Sequence, residues 1–227
     1  MVKNRGLGEF SARHILAIME SNPYKYRIWG EWDTTKVGDH INARATPFVE
    51  AYYNCIEHGF VPNQEQYLKE FITTFDLEKN SLLTSRASRN WPSLITEHHF
   101  YAMVRKKART GFMILKNEQL DILAGIDIMA TYRSMKYGAL LAYINKKDFR
   151  IAKKERLQKR IDAGVVPNDY IVDDDKILDL TIVKGGHISP SSRWNTKAKF
   201  HHYFWDDAEY FITEIKNRVE QLRGPIG

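Results

Sequence analysis

Along residues 93–183 helical and strand-like hydrophobic periods alternate in a fixed order, and that order restricts the fold more than composition does. Pro92 and Ser93 can open a helix that runs through Leu94, Phe100, Met103 and Val104 to Arg109, with Gly111 as its stop. Short apolar runs follow at residues 112–115, 122–132 and 137–144, with 133–136 as the turn between the last two. A strongly charged helical stretch, 147–163, ends at Gly164, and strand-like runs at 170–172 and 177–183 flank Asp173-Asp174-Asp175-Lys176. Helix, three strands, helix, then strands predicts an α/β (α+β) fold, with helices flanking one mixed central sheet.

Residues 1–90 read as a helical amino-terminal lobe. Phe10, Ile15, Leu16, Ile18 and Met19 form one helical pattern, and Phe48, Val49, Tyr52, Tyr53 and Ile56 a second. Pro62 and Asn63 supply the start signal for a third, along which Tyr67, Leu68, Phe71, Ile72 and Phe75 recur at helical spacing. Between the first two, residues 24–39 are rich in aromatics and charge and read as an irregular loop or short strands. Residues 81–90 are dense in side chains that compete with the backbone for hydrogen bonds, as linkers are, so the lobe boundary is expected there. The second unit, 91–227, then carries the sheet and a carboxy-terminal helix that starts near Asp206 or Asp207, where an acid suits the helix dipole.

With 227 residues, 43% of them hydrophobic, the chain can bury a core, and 27% charged residues with modest Gly and Pro exclude a disordered or fibrous class. A single cysteine, Cys55, sits in an apolar stretch and reads as a small buried hydrophobe. The first eight residues lack the apolar core of a signal peptide, and no apolar run approaches the ~18 residues a bilayer span needs. The expectation is a cytoplasmic protein with no membrane partner.

The formal charge of +6 matters through its distribution. Residues 146–160 carry eight cations (Lys146, Lys147, Arg150, Lys153, Lys154, Arg156, Lys159 and Arg160) against Asp148 and Glu155, which equals the excess of the whole chain. Such a helix suits a polyanion, because each Lys or Arg that neutralises a phosphate releases counterions. Just before it, Asp127 stands in the apolar run Gly125-Ile126-Asp127-Ile128-Met129. A carboxylate among Ile and Met is costly to bury unless it is paired, hydrogen-bonded or bound to metal, which makes Asp127 the leading candidate for chemistry.

A strand with Gly-Ile-Asp, a turn, a Tyr-Gly strand ending Tyr143-Ile144-Asn145-Lys146-Lys147 and then a basic helix resembles the core of the PD-(D/E)XK, or restriction-endonuclease-like, nuclease superfamily. The resemblance covers about residues 93–183 and implies a helix, three strands, a helix and a strand. It also implies a Mg²⁺ ion held by an Asp on the first of the motif's strands and by an acid-x-Lys pair on the next. Asp127 fills the first role, whereas the pair falls near Leu141 and Tyr143, which are neither acid nor lysine. Lys146 or Lys147 can serve as the catalytic lysine, with Asp148, Asp121 or Glu118 as second carboxylate and Glu97 contributing from the preceding helix. The resemblance therefore implies metal ligands Asp127, Asp148 and Glu97, while the charge pattern assigns Arg150, Lys153, Lys154, Arg156, Lys159 and Arg160, with Arg193 of a later loop, to gripping the nucleic acid.

Other features are weaker. His98-His99 and His201-His202 are neighbours whose side chains point apart, so neither pair is a ready metal clamp. Residues 185–193 resemble a phosphate-cradling loop in composition but lack the ending of a P-loop, and they are read as a surface loop that touches phosphate through Ser191, Ser192 and Arg193. Trp194, Tyr203, Phe204 and Trp205 suit the core or base stacking. The expectation is a DNA-binding protein acting as a Mg²⁺-dependent endonuclease. A non-catalytic nucleic-acid-binding or assembly protein on a degenerate scaffold, a protein adaptor and a homodimer all stay open.

Overall fold

The computed structural model describes residues 3–22, 46–77, 82–142, 147–181, 193–195, 200–203 and 205–223. The amino-terminal helices form where their apolar spacing predicts them: α1 (Ala12–Ser21), α2 (Thr46–Glu57) and α3 (Gln64–Phe75). Asn63 closes the start of α3 with a reciprocal cap, its side chain accepting from the Gln66 amide at 2.9 Å while the Gln66 side chain accepts from the Asn63 amide at 2.9 Å. Residues 24–39, expected as an irregular loop or short strands, lie outside the described residues.

The helix expected to open at Pro92 begins ten residues earlier, as α4 (Leu82–Lys107), and the boundary expected at residue 90 falls inside it. Residues 82–90, read as a linker, are helical because Thr84, Ala87 and Trp91 are buried along them, and the Trp91 indole donates to the Pro62 carbonyl at 3.0 Å. Pro92 sits within this helix and has no amide hydrogen for the Ser88 carbonyl four residues back. The buried Gln64 side chain replaces it, donating from Nε2 to the Ser88 carbonyl at 2.9 Å and to Ser88 Oγ at 2.8 Å. Gln64→Met is therefore expected to lower stability by about 1–3 kcal/mol, the cost of an orphaned buried carbonyl. Adding Pro92→Ala, which restores the amide donor, should recover most of that in urea unfolding. No recovery in the double variant would refute the capping role.

After α4 come β1 (Phe112–Leu115), β2 (Ile128–Tyr132), β3 (Met135–Ala142), α5 (Lys147–Asp162) and β4 (Ile177–Thr181). The sheet order is β1-β2-β3-β4, antiparallel through β3, with β4 parallel to β3 after the α5 crossover. The β2–β3 hairpin turns on Arg133 and Ser134 alone, both at positive φ (49° and 68°), as a two-residue connection of this twist requires. A second, two-stranded sheet pairs β5 (Arg193–Asn195) with β6 (Phe200–His202), and α6 (Trp205–Arg223) follows. The chain is an α+β fold with a mixed central sheet.

Two strand expectations fail. Within residues 122–132 the strand starts only at Ile128, because Leu120–Ala124 form a π-helical turn closed by Gly125 in the left-handed region (φ 65°). Arg160 of α5 fastens that turn, donating from one guanidinium nitrogen to the carbonyls of Ile122 (2.7 Å) and Leu123 (3.2 Å). Residues 170–172 are not a strand either, since Asn168–Tyr170 form a 3₁₀ turn. Both stretches are apolar enough to read as strands, and tertiary packing rather than period decides them.

Alternation along the strands gives the sheet two apolar faces. Ile128, Ala130, Tyr137, Ala139, Leu141, Leu178 and Leu180 join the core shared with α1–α4 and α6. Met129, Leu140 and Ile177 face the other way, toward Leu157 of α5 and Val166, Tyr170 and Val172. The larger core is thus continuous across residue 90. Among the described residues no helix is long and apolar enough to cross a membrane.

Candidate metal centre

The sequence between β1 and β2 is unusually constrained. Glu118 donates its amide to the Arg5 carbonyl at 2.9 Å, and Gly6 bridges Asn117, so the amino-terminal segment lies against residues 117 and 118. The Asn117 side chain accepts from the Leu120 amide (2.7 Å) and donates to Asn4 Oδ1 (2.8 Å) and the Tyr170 hydroxyl (2.9 Å). Arg5 holds Glu118 through two contacts, Nε to Oε2 at 2.6 Å and Nη2 to Oε1 at 2.9 Å, and reaches Asn54 and Glu57 on α2. These bonds fix the segment that begins at Lys116.

Lys116 follows β1 directly and is 3% exposed. Its ammonium contacts Glu97 Oε2 at 3.0 Å and Asp121 Oδ2 at 3.3 Å. Glu97 comes from α4, where Ser93 one turn earlier donates to its Oε1 at 3.1 Å. Asp121 comes from the π-helical turn. Asp127 arrives one residue before β2, and its Oδ2 accepts the Leu141 amide of β3 at 2.6 Å while its own amide donates to the Ala139 carbonyl at 3.0 Å. The carboxylate thereby extends the β2–β3 ladder past the end of β2.

One carboxylate oxygen from each of Glu97, Asp121 and Asp127 lies within 4.8 Å of the others, so the triad can hold a metal ion. All three donors are hard oxygens, the set that suits Mg²⁺, Mn²⁺ or Ca²⁺ rather than a thiophilic metal. Three carboxylates against one ammonium leave the cluster acidic. Burial disfavours the charge on Lys116, but Asp121 and Glu97, with Tyr53 and Asp127 behind them, outweigh it and raise its pKa well above the ordinary lysine value. The ammonium is therefore a fixed positive charge at any physiological pH.

No family model, curated protein or solved structure matches the chain. The site's own chemistry carries the functional argument.

Of the residues singled out in the sequence, Glu97 and Asp127 come together, and Asp121, named as one source of a second carboxylate, completes the triad. Glu118, named for the same role, is instead held by Arg5. Leu141, where the resemblance expects an acid, meets Asp127 through its backbone amide while its side chain enters the core. Lys146 lies outside the described residues, as do the side chains of Lys147, Asp148, Arg150, Lys153, Lys154 and Arg193. Arg156 and Lys159 are exposed on α5, whereas Arg160 turns toward the carbonyls of the π-helical turn. Lys116 was not anticipated. Its one sequence signal is a lysine placed directly between an apolar strand and a turn containing two acids, Glu118 and Asp121.

Proposed function

We propose that this chain binds DNA and hydrolyses its phosphodiester bonds with Mg²⁺ held by Glu97, Asp121 and Asp127. The observation that carries the reading is the convergence of two buried carboxylates, Glu97 and Asp127, a half-buried one, Asp121, and a buried lysine from four separate places on the chain. Buried charge of this density is expensive unless it serves binding or chemistry. The element order of helix, three strands, helix and strand gives further support, since it is the order the nuclease resemblance implies.

On this reading the metal supplies Lewis-acid stabilisation of the phosphoryl oxygens and a more acidic bound water. Glu97 and Asp121 are drawn together by their shared contact with Lys116, whose charge offsets their mutual repulsion. Asp127 is oriented by the Leu141 amide, which donates to its Oδ2 at 2.6 Å. Lys116 stands in for the lysine of the missing acid-x-Lys pair and offers a permanent positive charge to the developing anion. Arg156 and Lys159, exposed on α5, contribute contacts to the phosphate backbone.

A second reading is favoured by one specific fact: the ammonium of Lys116 and the amide of Leu141 already satisfy oxygens of the cluster. It makes the chain a nucleic-acid-binding or assembly protein that does not cut. Plasmid and single-strand cleavage with Mg²⁺ or Mn²⁺ separates the two. Nicking that disappears in Asp127→Ala is the expected result, and salt-sensitive binding without cleavage would favour the second. Equal cleavage by wild type and Asp127→Ala would place the active site elsewhere.

A further inference from the structure

Tyr53 stands on α2 with its side chain almost wholly buried, and its hydroxyl has no hydrogen-bond partner among the described residues. Its neighbours in the same helical layer are satisfied. The Tyr52 hydroxyl meets His98 Nδ1 at 3.0 Å, and the Tyr67 hydroxyl donates to the Phe48 carbonyl at 3.1 Å. A buried phenol without a partner has lost its water and gained nothing in exchange, so it calls for a physical account.

The surroundings of Tyr53 supply one. α2 packs on the π-helical turn Leu120–Ala124, which carries Asp121. The hydroxyl lies within electrostatic reach of Lys116, Asp121, Glu97 and Glu118, the groups in and beside the acidic cluster. Burial, the leading cause, raises its pKa well above the ordinary tyrosine value, so it stays a neutral phenol able both to donate and to accept.

We infer that Tyr53 is a positioning residue for a hydrated divalent cation, its hydroxyl oxygen accepting a hydrogen bond from a water bound to the metal at Glu97, Asp121 and Asp127. This rests on the metal-dependent reading above. Mg²⁺ keeps several waters when carboxylates bind it, and each such water is a polarised donor that needs an acceptor. Lys116 is donor-only, whereas the Tyr53 oxygen is a buried acceptor with no partner among the described residues, on the helix that packs against the turn carrying Asp121. The site is then completed from the amino-terminal helices, and cation binding depends on both halves of the chain.

Calorimetric Mn²⁺ titration of the full chain, with unfolding followed in chelator, tests this in wild type, Tyr53→Phe, Tyr52→Phe and Asp127→Ala. Tyr53→Phe is expected to bind Mn²⁺ about 10-fold more weakly, the lower end of outer-partner losses. Its metal-free Tm should be unchanged or higher, because the oxygen removed had no partner. Tyr52→Phe should show the opposite pattern, a lower Tm from the lost His98 contact with Mn²⁺ affinity kept within about twofold. Tyr53→Phe binding as tightly as wild type overturns the inference and leaves the metal reading standing. Wild type that fails to bind Mn²⁺, or binding unchanged by Asp127→Ala, overturns both.

Discussion

Lys116→Met is expected to cost about 3–5 kcal/mol of folding stability at pH 7, because it removes the cation shared by Glu97 and Asp121 from a cluster that also holds Asp127. The pH dependence identifies the cause. In wild type the Lys116 pKa is raised on folding, so its contribution is fully present below the unfolded lysine value of about 10.4 and is lost only as pH rises through the still higher folded value. In the variant, mutual repulsion disfavours the charged cluster in the folded state, and protonation in acid relieves it, so the deficit should shrink as pH falls from 7 toward 4. A divalent cation should shrink it too, by replacing the lost charge. Urea unfolding at several pH values, with chelator and with Mn²⁺, reads both effects. A deficit that ignores pH and metal would mean that lost packing, rather than unpaired charge, explains the loss.

Arg5→Ala is the second large effect, again about 3–5 kcal/mol, since it strands the Glu118 carboxylate, which is 3% exposed. The partners of Arg5 explain why one residue near the amino terminus matters so much. Hydrogen bonding to Glu118, opposed by burial and reinforced by Glu57, raises its pKa still further above the ordinary arginine value, so its charge never varies. Its guanidinium joins the segment after β1 to α2 through Glu118, Asn54 and Glu57. Arg5→Lys should recover only part of the loss, because an ammonium cannot reproduce the forked contact. Glu118 is two residues from Lys116, so the same substitution should weaken Mn²⁺ binding. Thermal unfolding and Mn²⁺ titration measure the two consequences, and a stable Arg5→Ala protein with intact metal affinity would show that this clamp does not hold the site.

Local signals were read well where local physics decides. The cap at Asn63, the short apolar run that became β1 and the end of α5 before Gly164 (φ 66°) all follow from patterns a few residues long. Residues 82–90 misled because Ser, Thr and Asn side chains compete with the helix for backbone hydrogen bonds, whereas here burial of Thr84, Ala87 and Trp91 and the Gln64 contact on Ser88 favour the helix. Asp127 could be picked out as an acid among apolar neighbours, and Glu97 only through the resemblance, as an acid on the preceding helix. Lys116 could not, because a single lysine normally points to water, and only the arrival of Glu97 and Asp121 from elsewhere on the chain makes its burial favourable. The same holds for Tyr53, which the helical pattern assigns to packing and whose partnerless hydroxyl appears only in three dimensions.

A divalent cation among Glu97, Asp121 and Asp127 would be visible to diffraction. Crystals of the full chain soaked in Mn²⁺ and recorded at a wavelength where manganese scatters anomalously locate the ion directly. The account predicts one strong peak about 2.0–2.3 Å from an oxygen of each carboxylate, with Lys116 close by and water on the remaining positions. No peak at the triad, or a peak held by other residues, would contradict it.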